Sequence, residues 1–484
     1  MYIVFAASEC VPFVKTGGLA DVIGALPGEL VRQGHAVTVY LPLFRPVAAQ
    51  LGKRIILIPS LTIPFADYNR FVSVVDGEVR DGVRFVFIDC PELFDREGLY
   101  GTGSGGDYPD NWERFALFCR AVLEASKQLG VPDVFHAHDW QAAMLPVYLR
   151  TVYASDPALE RAGTVFTIHN AGYQGWYPPQ TTERLLLPWD LYRMDKLEQY
   201  DTFNFLKGGI VFADALTTVS RKYAEEIQTP EFGYSLDGTL RQRAADLHGI
   251  LNGVDYEQWD PAHDRYIAAH YGPDKLAGKA ECRRDLLHAF GASSVPPTTP
   301  VLGIVSRFAT QKGFDLLAEI AEELAARELF LVALGTGEPY YENLLRSLAE
   351  RFPERFAVRV QYDNTLAHKI EAGADIFLMP SRYEPSGLNQ LYSLRYGTVP
   401  VVRATGGLDD TVQESSLPGE GTGFKFQGYD AREFLQAIDR ALASFADQTQ
   451  WRELMRNGMR KDYSWKQPAA EYAALYEAVA RRRS

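Results

Sequence analysis

Short apolar runs rich in valine and isoleucine alternate with helical patterns along nearly the whole chain. Residues 2–7, 36–41, 84–89, 133–136, 164–168 and 215–219 are bounded by Gly, Pro or polar turns. Most are continuous rather than alternating in polarity, which is the pattern of strands covered on both faces. Between them, the stretch 113–129 sets Phe115, Phe118, Cys119, Val122 and Leu123 on one helical face. A second series follows, with strands expected at 301–305, 329–334, 356–361, 375–379 and 399–402 and a helix over 314–327. Strand–helix alternation of this kind predicts parallel sheets flanked by helices, here as two doubly wound α/β lobes. The joint falls near Gly249-Ile-Leu-Asn-Gly-Val254, after a helix-like 236–247. That gives a lobe over 1–248, a second over 249–460, and a helical tail, 461–484, expected to pack back on the first lobe. The arginines that end the tail, Arg481 to Arg483, read as a solvated last turn.

Ligands of open parallel sheets bind outside the carboxyl ends of the strands, and the residues with chemical potential cluster there. Lys15-Thr-Gly-Gly-Leu-Ala-Asp21 follows the first strand, His138-Asp139-Trp140 follows 133–136, and His169-Asn170 follows 164–168. In the second series Arg307 and Lys312 follow 301–305, Gly335-Thr-Gly337 follows 329–334, and Tyr362 follows 356–361. Glu384-Pro-Ser-Gly-Leu-Asn-Gln390 and Thr405-Gly-Gly407 close the set. Loops on two matching rims imply lobes facing across a deep cleft.

Composition narrows the class of partner. The 484 residues carry 62 carboxylates against 49 Lys and Arg, a formal net charge of −13, which argues against nucleic acid or an anionic membrane. The four cysteines, Cys10, Cys90, Cys119 and Cys282, are far apart and form no CxxC pair, as expected of a reducing compartment. No basic-then-apolar leader and no apolar run near the ~20 residues of a membrane span are present, so a cytoplasmic enzyme is expected.

Each candidate motif has two readings. Gly17-Gly18 opens a helix whose N–H groups can approach an anion, with Lys15 adding charge, or it is a tight turn with an exposed lysine. It is neither a GxGxxG fingerprint nor a P-loop. Leu19, Val22, Ile23, Leu26 and Leu30 seat that helix, and Pro27 is expected to kink it or end its first half. His136 and His138 share a strand face, yet no third ligand set accompanies them, so no metal is expected. Trp140 beside Asp139 suits a sugar, as do Tyr173, Trp176 and Tyr177, unless these rings simply pack. Arg307 and Lys312 are either a diphosphate clamp or an exposed polar pair, and Glu384 either caps a helix or reaches into the cleft.

Taken in order, these strings resemble bacterial glycogen synthases and plant starch synthases. They are joined by Phe203-Asn-Phe-Leu-Lys-Gly-Gly209, Ile250-Leu-Asn-Gly-Val-Asp255, Ser306-Arg307, Gln311-Lys-Gly313 and Thr405-Gly-Gly-Leu-Asp-Asp-Thr411, so the resemblance covers essentially the whole chain. It implies a retaining GT-B glycosyltransferase with two Rossmann-like lobes, the first binding acceptor glucan and the second the nucleotide sugar. Such an enzyme moves glucose from ADP-glucose to the non-reducing end of an α-1,4-glucan such as glycogen and releases ADP, without metal or pyridoxal phosphate.

By that resemblance Lys15, His169, Arg307, Lys312 and Glu384 are catalytic. Lys15, Gly17, Gly18, Asn252, Arg307, Lys312, Tyr362, Glu384, Gly387, Leu388 and Asn389 bind the donor, and Asp21, Asp139, Trp140, Asn170 and Tyr173 the acceptor. The chain departs from the family where Ser386 replaces a common Cys, Asn389 a Thr, Gln141 a His and Gln361 a Gly. Gln361 adjoins the base-stacking Tyr362, which leaves UDP-glucose as an alternative donor. A non-catalytic glucan-binding protein would be expected to have lost Lys15, Arg307, Lys312 or Glu384, and all four are present.

Overall fold

The computed structural model describes residues 1–52, 54–102, 106–417 and 419–483. It divides into two compact units, Met1–Gly253 with Trp465–Ser484, and Val254–Ser464.

The first unit holds strands β1 (Tyr2–Ala6), β2 (Ala36–Pro42), β3 (Ile55–Pro64), β4 (Asn69–Arg80), β5 (Val83–Asp89), β6 (Val134–His138), β7 (Gly163–Ile168), β8 (Trp176–Tyr177), β9 (Glu198–Gln199), β10 (Thr202–Asn204), β11 (Ala215–Thr218) and β12 (Leu247–Gly249). Nine form one sheet in the order β12-β11-β7-β6-β1-β2-β5-β4-β3, and β8, β10 and β9 form a small separate sheet. From β12 to β5 every pairing is parallel, whereas β4 and β3 run antiparallel at one edge. The parallel strands wind outward in both directions from β1. The chain order therefore reverses between β1 and β6, which is the switch point where such sheets bind ligands. Ile3, Val4, Phe5 and Ala6 are fully buried there.

Local differences from the sequence expectation have physical causes. The helix Gly18–Arg32 runs unbroken through Pro27, because Leu19, Val22, Ile23, Leu26 and Leu30 bury one continuous face that outweighs the missing N–H. The β3–β4 hairpin was not expected, since Ile55, Ile56 and Phe71 lie exposed at the sheet edge and blur the pattern. The helix-like 236–247 is a short helix, Asp237–Gln242, and a 3-10 turn leading into β12.

The helix Lys466–Arg483 closes the first unit, burying Ala469, Tyr472, Tyr476 and Val479. Its end is not simply solvated. The Arg483 Nε donates to Asp214 at 3.0 Å, and Asp214 also pairs with Arg150 at 2.5 Å. Only Arg481 and Arg482 extend outward.

The second unit holds β13 (Val301–Val305), β14 (Phe330–Gly335), β15 (Phe356–Val360), β16 (Ile376–Met379), β17 (Val399–Arg403) and β18 (Phe424–Phe426), in the order β15-β14-β13-β16-β17-β18. All pairings are parallel, and the switch point lies between β13 and β16. The helix expected over 314–327 is two, Phe314–Glu319 and Ala321–Ala325.

Candidate active site

In the first unit the loop after β1 is organised by Glu9, a buried carboxylate that sequence reasoning passed over. It accepts from the Thr16 hydroxyl at 2.6 Å, the Tyr100 hydroxyl at 2.5 Å, and the backbone N–H groups of Thr16 and of Gly17, the latter at 3.2 Å. Its signal was a lone acid in the apolar run Ala6-Ala7-Ser8-Glu9-Cys10-Val11. These bonds take up two N–H groups at the glycine loop. Lys15 pairs with Asp21 at 2.7 Å. Burial raises the Asp21 carboxyl above its usual range, and Lys15 opposes the shift. A side chain at Gly17 or Gly18 would meet nothing within 4 Å, so packing does not demand glycine at either.

Across the switch point, β6 ends at His138 and β7 leads into His169. Asp139 adopts φ of 54°, a left-handed conformation uncommon outside glycine and frequent at functional sites. There its carboxylate accepts the His169 N–H at 2.7 Å. His138 Nδ1 and His169 Nε2 are 3.0 Å apart. Burial lowers both imidazoles, His169 to about 3 and His138 well below its ordinary value, so both are neutral at pH 7. Burial likewise pushes the Asp139 carboxyl up to about 7, against the pull of the His169 and Asn170 N–H groups, with Glu9 adding repulsion.

Because the folded pKa lies above the unfolded one, the folded chain binds the extra proton between about pH 4 and 7, and stability falls as pH rises through that window. Asp139→Asn removes the ionisation. Its stability is expected to gain on that of wild type between pH 5 and 8, by about 1–2 kcal/mol once partial solvent contact is discounted. Thermal melts across that range check this; a difference independent of pH would contradict it.

Trp140 does not present a sugar platform. It is 6% exposed, with its ring 4.9 Å from Phe115 and 6.3 Å from Tyr100, and it packs as core. Tyr173 and Trp176 are exposed, and Asn170 Oδ1 accepts the Gly172 N–H at 2.9 Å within its own turn. Asn252 is buried, and its Oδ1 bonds to no described residue.

In the second unit, a cavity of about 140 Å³ opens at the ends of β13 and β16. Arg307, Lys312, Glu384, Gly387, Leu388 and Asn389 all line it. Lys312 Nζ pairs with Glu384 Oε2 at 2.6 Å, and the Ser381 hydroxyl donates to the same oxygen at 3.1 Å. Glu384 is buried and Arg307 is exposed. Asn389 Nδ2 donates to the Val305 carbonyl at 2.5 Å, tying the helix that begins at Asn389 to the end of β13.

Two glycines fix these positions. Gly313 has φ of 79°, and a Cβ there would lie 2.1 Å from the Pro380 carbonyl oxygen, so the turn carrying Lys312 closes onto the end of β16 only with glycine. A Cβ at Gly407 would lie 1.8 Å from the Ser386 carbonyl oxygen, and the Gly407 N–H donates to the Glu384 carbonyl at 3.1 Å. The Thr405-Gly-Gly407 loop thus braces Glu384 from behind. Tyr362 is not among the lining residues. Its side chain is 88% exposed just beyond β15. Among the described residues no group of three or more His, Cys, Asp or Glu is placed to hold a metal, and no helix is long and apolar enough to cross a membrane.

Two doubly wound units, each with its polar groups gathered at a switch point, define the GT-B class of glycosyltransferases. Residues 2–242 match the family described as the starch synthase catalytic domain, and residues 289–457 match glycosyl transferases group 1. The glycogen synthase of Koribacter versatilis is 58% identical over 99% of this chain and 98% of its own, and that of Thermotoga maritima 45% over 99% and 98%. Among solved structures, the catalytic domain of starch synthase IV from Arabidopsis thaliana, bound to ADP and acarbose, superposes with a TM-score of 0.88 at 32% identity over 99% of each chain. Sucrose-phosphate synthase from Thermosynechococcus elongatus, at 17% identity and TM-score 0.62, shares the fold. The chain belongs to the glycogen and starch synthase family.

Proposed function

We propose that this chain transfers glucose from ADP-glucose to the non-reducing 4-hydroxyl of an α-1,4-glucan, with retention of configuration and release of ADP. The reading rests on the Lys312–Glu384 pair in the switch-point cavity of the second unit, in a chain matched end to end by glycogen synthases. Arg307 and Lys312 hold the diphosphate and neutralise charge as it leaves. Glu384 bonds glucose hydroxyls and offsets positive charge at the anomeric carbon. Backbone N–H groups at Gly387, Leu388 and Asn389 support the sugar or a phosphate, and the free face of Tyr362 is available to stack on adenine.

On the first unit, Lys15 with Gly17 and Gly18 meets donor phosphate or sugar, and the space in front of both glycines lets a ligand approach backbone closely. His169, neutral and partnered, serves as a hydrogen-bonding group beside the glucose, with Asn252 near it. Asp21, Asp139, Asn170 and Tyr173 form the acceptor side, and Trp140 supports them from within the core.

Double displacement would need two carboxylates about 5 Å apart. Among the described residues Glu384 is the one carboxylate lining the cavity, and it is bound to Lys312. Front-face transfer fits better, with the departing phosphate oxygen taking the acceptor's proton and the protein supplying position and charge. The test is a donor panel with glycogen as acceptor, assayed for nucleoside diphosphate release with and without a chelator. ADP-glucose should be the preferred donor and turnover should survive chelation. Preference for UDP-glucose would move the base assignment to the Gln361–Tyr362 departure, and no transfer from either donor would overturn the reading.

A further inference from the structure

The buried histidine His138 has no role in the transfer as derived, yet its surroundings are specific. Its Nδ1 faces His169 Nε2 at 3.0 Å, while its Nε2 is sealed from solvent with no hydrogen-bond partner among the described residues. Its ring lies against Phe5, stacked at 5.4 Å, and against His136 at 4.0 Å. His136 is itself fixed, since Nδ1 meets the Tyr476 hydroxyl at 2.7 Å and Nε2 the Thr167 hydroxyl at 2.6 Å. A flip of the His138 ring would put a carbon where Nδ1 now meets His169, losing that contact.

A neutral imidazole carries one proton, and two placements are open. With the proton on Nε2, His138 would bury an N–H with no acceptor, among the rarest of unsatisfied groups in folded proteins. With it on Nδ1, the orphan is a bare lone pair, and the N–H donates to His169. The second placement then dictates the state of the neighbour. His169 Nε2 must accept, so the His169 proton sits on Nδ1, which bonds to no described residue and is not sealed from solvent.

We propose that His138 is a positioning residue that locks His169 in the Nδ1–H tautomer, so that His169 offers the substrate a hydrogen-bond donor rather than an acceptor. The tautomer assignment stands on the buried geometry alone, and only its consequence for turnover rests on the function proposed above. The His169 N–H then points to an acceptor oxygen on the ligand, a sugar hydroxyl or a phosphate oxygen. Two neutral rings in a fixed relay keep that donor available without placing a charge beside the leaving group.

The experiment pairs a spectroscopic readout with turnover. Ring-nitrogen NMR shifts of the ¹⁵N-histidine-labelled full chain, assigned with His138 and His169 variants, report which nitrogen carries each proton. Both rings should be Nδ1–H. An Nε2–H signal for His169 would overturn the proposal whatever the activity. In turnover, His138→Leu should lower kcat about tenfold or more with a smaller change in KM, because the donor's geometry is lost while the site stays assembled. His138→Asn, whose side-chain amide can place a donor near the position of Nδ1, should recover most of that loss. Equal losses in both variants, with melts showing both folded, would reduce His138 to core packing. Full activity in His169→Ala would instead defeat the proposed role of His169 and leave the tautomer assignment intact.

Discussion

Glu384→Gln should lower kcat by more than about tenfold, a loss above ~1.4 kcal/mol, with little change in KM. Glutamine keeps the size and one carbonyl acceptor, so a residue acting as helix cap or surface group would tolerate it. Glu384 is neither. It is buried, lines the cavity, and holds the Lys312 ammonium at 2.6 Å. If its negative charge offsets the positive charge that grows at the anomeric carbon, the interaction is stronger in the transition state than in the bound substrate, and its loss appears in kcat. Steady-state transfer from ADP-glucose to glycogen, beside a thermal melt, decides the matter. A folded variant keeping more than about a tenth of wild-type kcat would make Glu384 structural.

The second large effect concerns the cations. Removing one charge-assisted donor from a preorganised site costs on the order of 10²–10³ in rate, and that is the loss expected for both Lys312→Ala and Arg307→Ala. The two should separate in stability. Lys312→Ala strands the Glu384 carboxylate in a buried position without its counter-ion, which should cost up to about 3 kcal/mol. Arg307 is exposed and donates to the Gln311 side-chain carbonyl at 3.2 Å, so Arg307→Ala should melt like wild type. Turnover and melting temperature measured on both variants test this pattern. Near-normal turnover in either would remove that residue from the diphosphate site.

The two sheets were legible because their central strands are covered on both faces and read as unbroken apolar runs, as at Ile3–Ala6 and Val301–Val305. The edge hairpin was not, because Ile56 and Phe71 stand in solvent and a half-exposed strand carries a mixed pattern. Pro27 misled for the opposite reason: a local rule about backbone was overridden by a buried helix face that the same sequence also encodes.

In the second unit, residue types at strand ends pointed to loops from which the structure gathers Arg307, Lys312, Glu384 and Gly387 to Asn389 around one cavity. What the string could not show was who partners whom. Glu9 as the anchor of the glycine loop, the Lys312–Glu384 pair and the His138–His169 relay all join residues distant in sequence. Burial reassigned Trp140 as well, since a tryptophan beside a cleft aspartate reads alike whether it faces sugar or core.

The helix Lys466–Arg483 belongs to the first unit although the whole of the second precedes it in the chain. A ribosome therefore completes the second unit before it delivers the side chains, Tyr472, Tyr476 and Val479, that finish the core of the first. The opening half of the chain must wait through that interval with the face of β6 and β7 uncovered and His136 lacking its tyrosine partner. Damage to this helix is thus felt in the unit that was synthesised first.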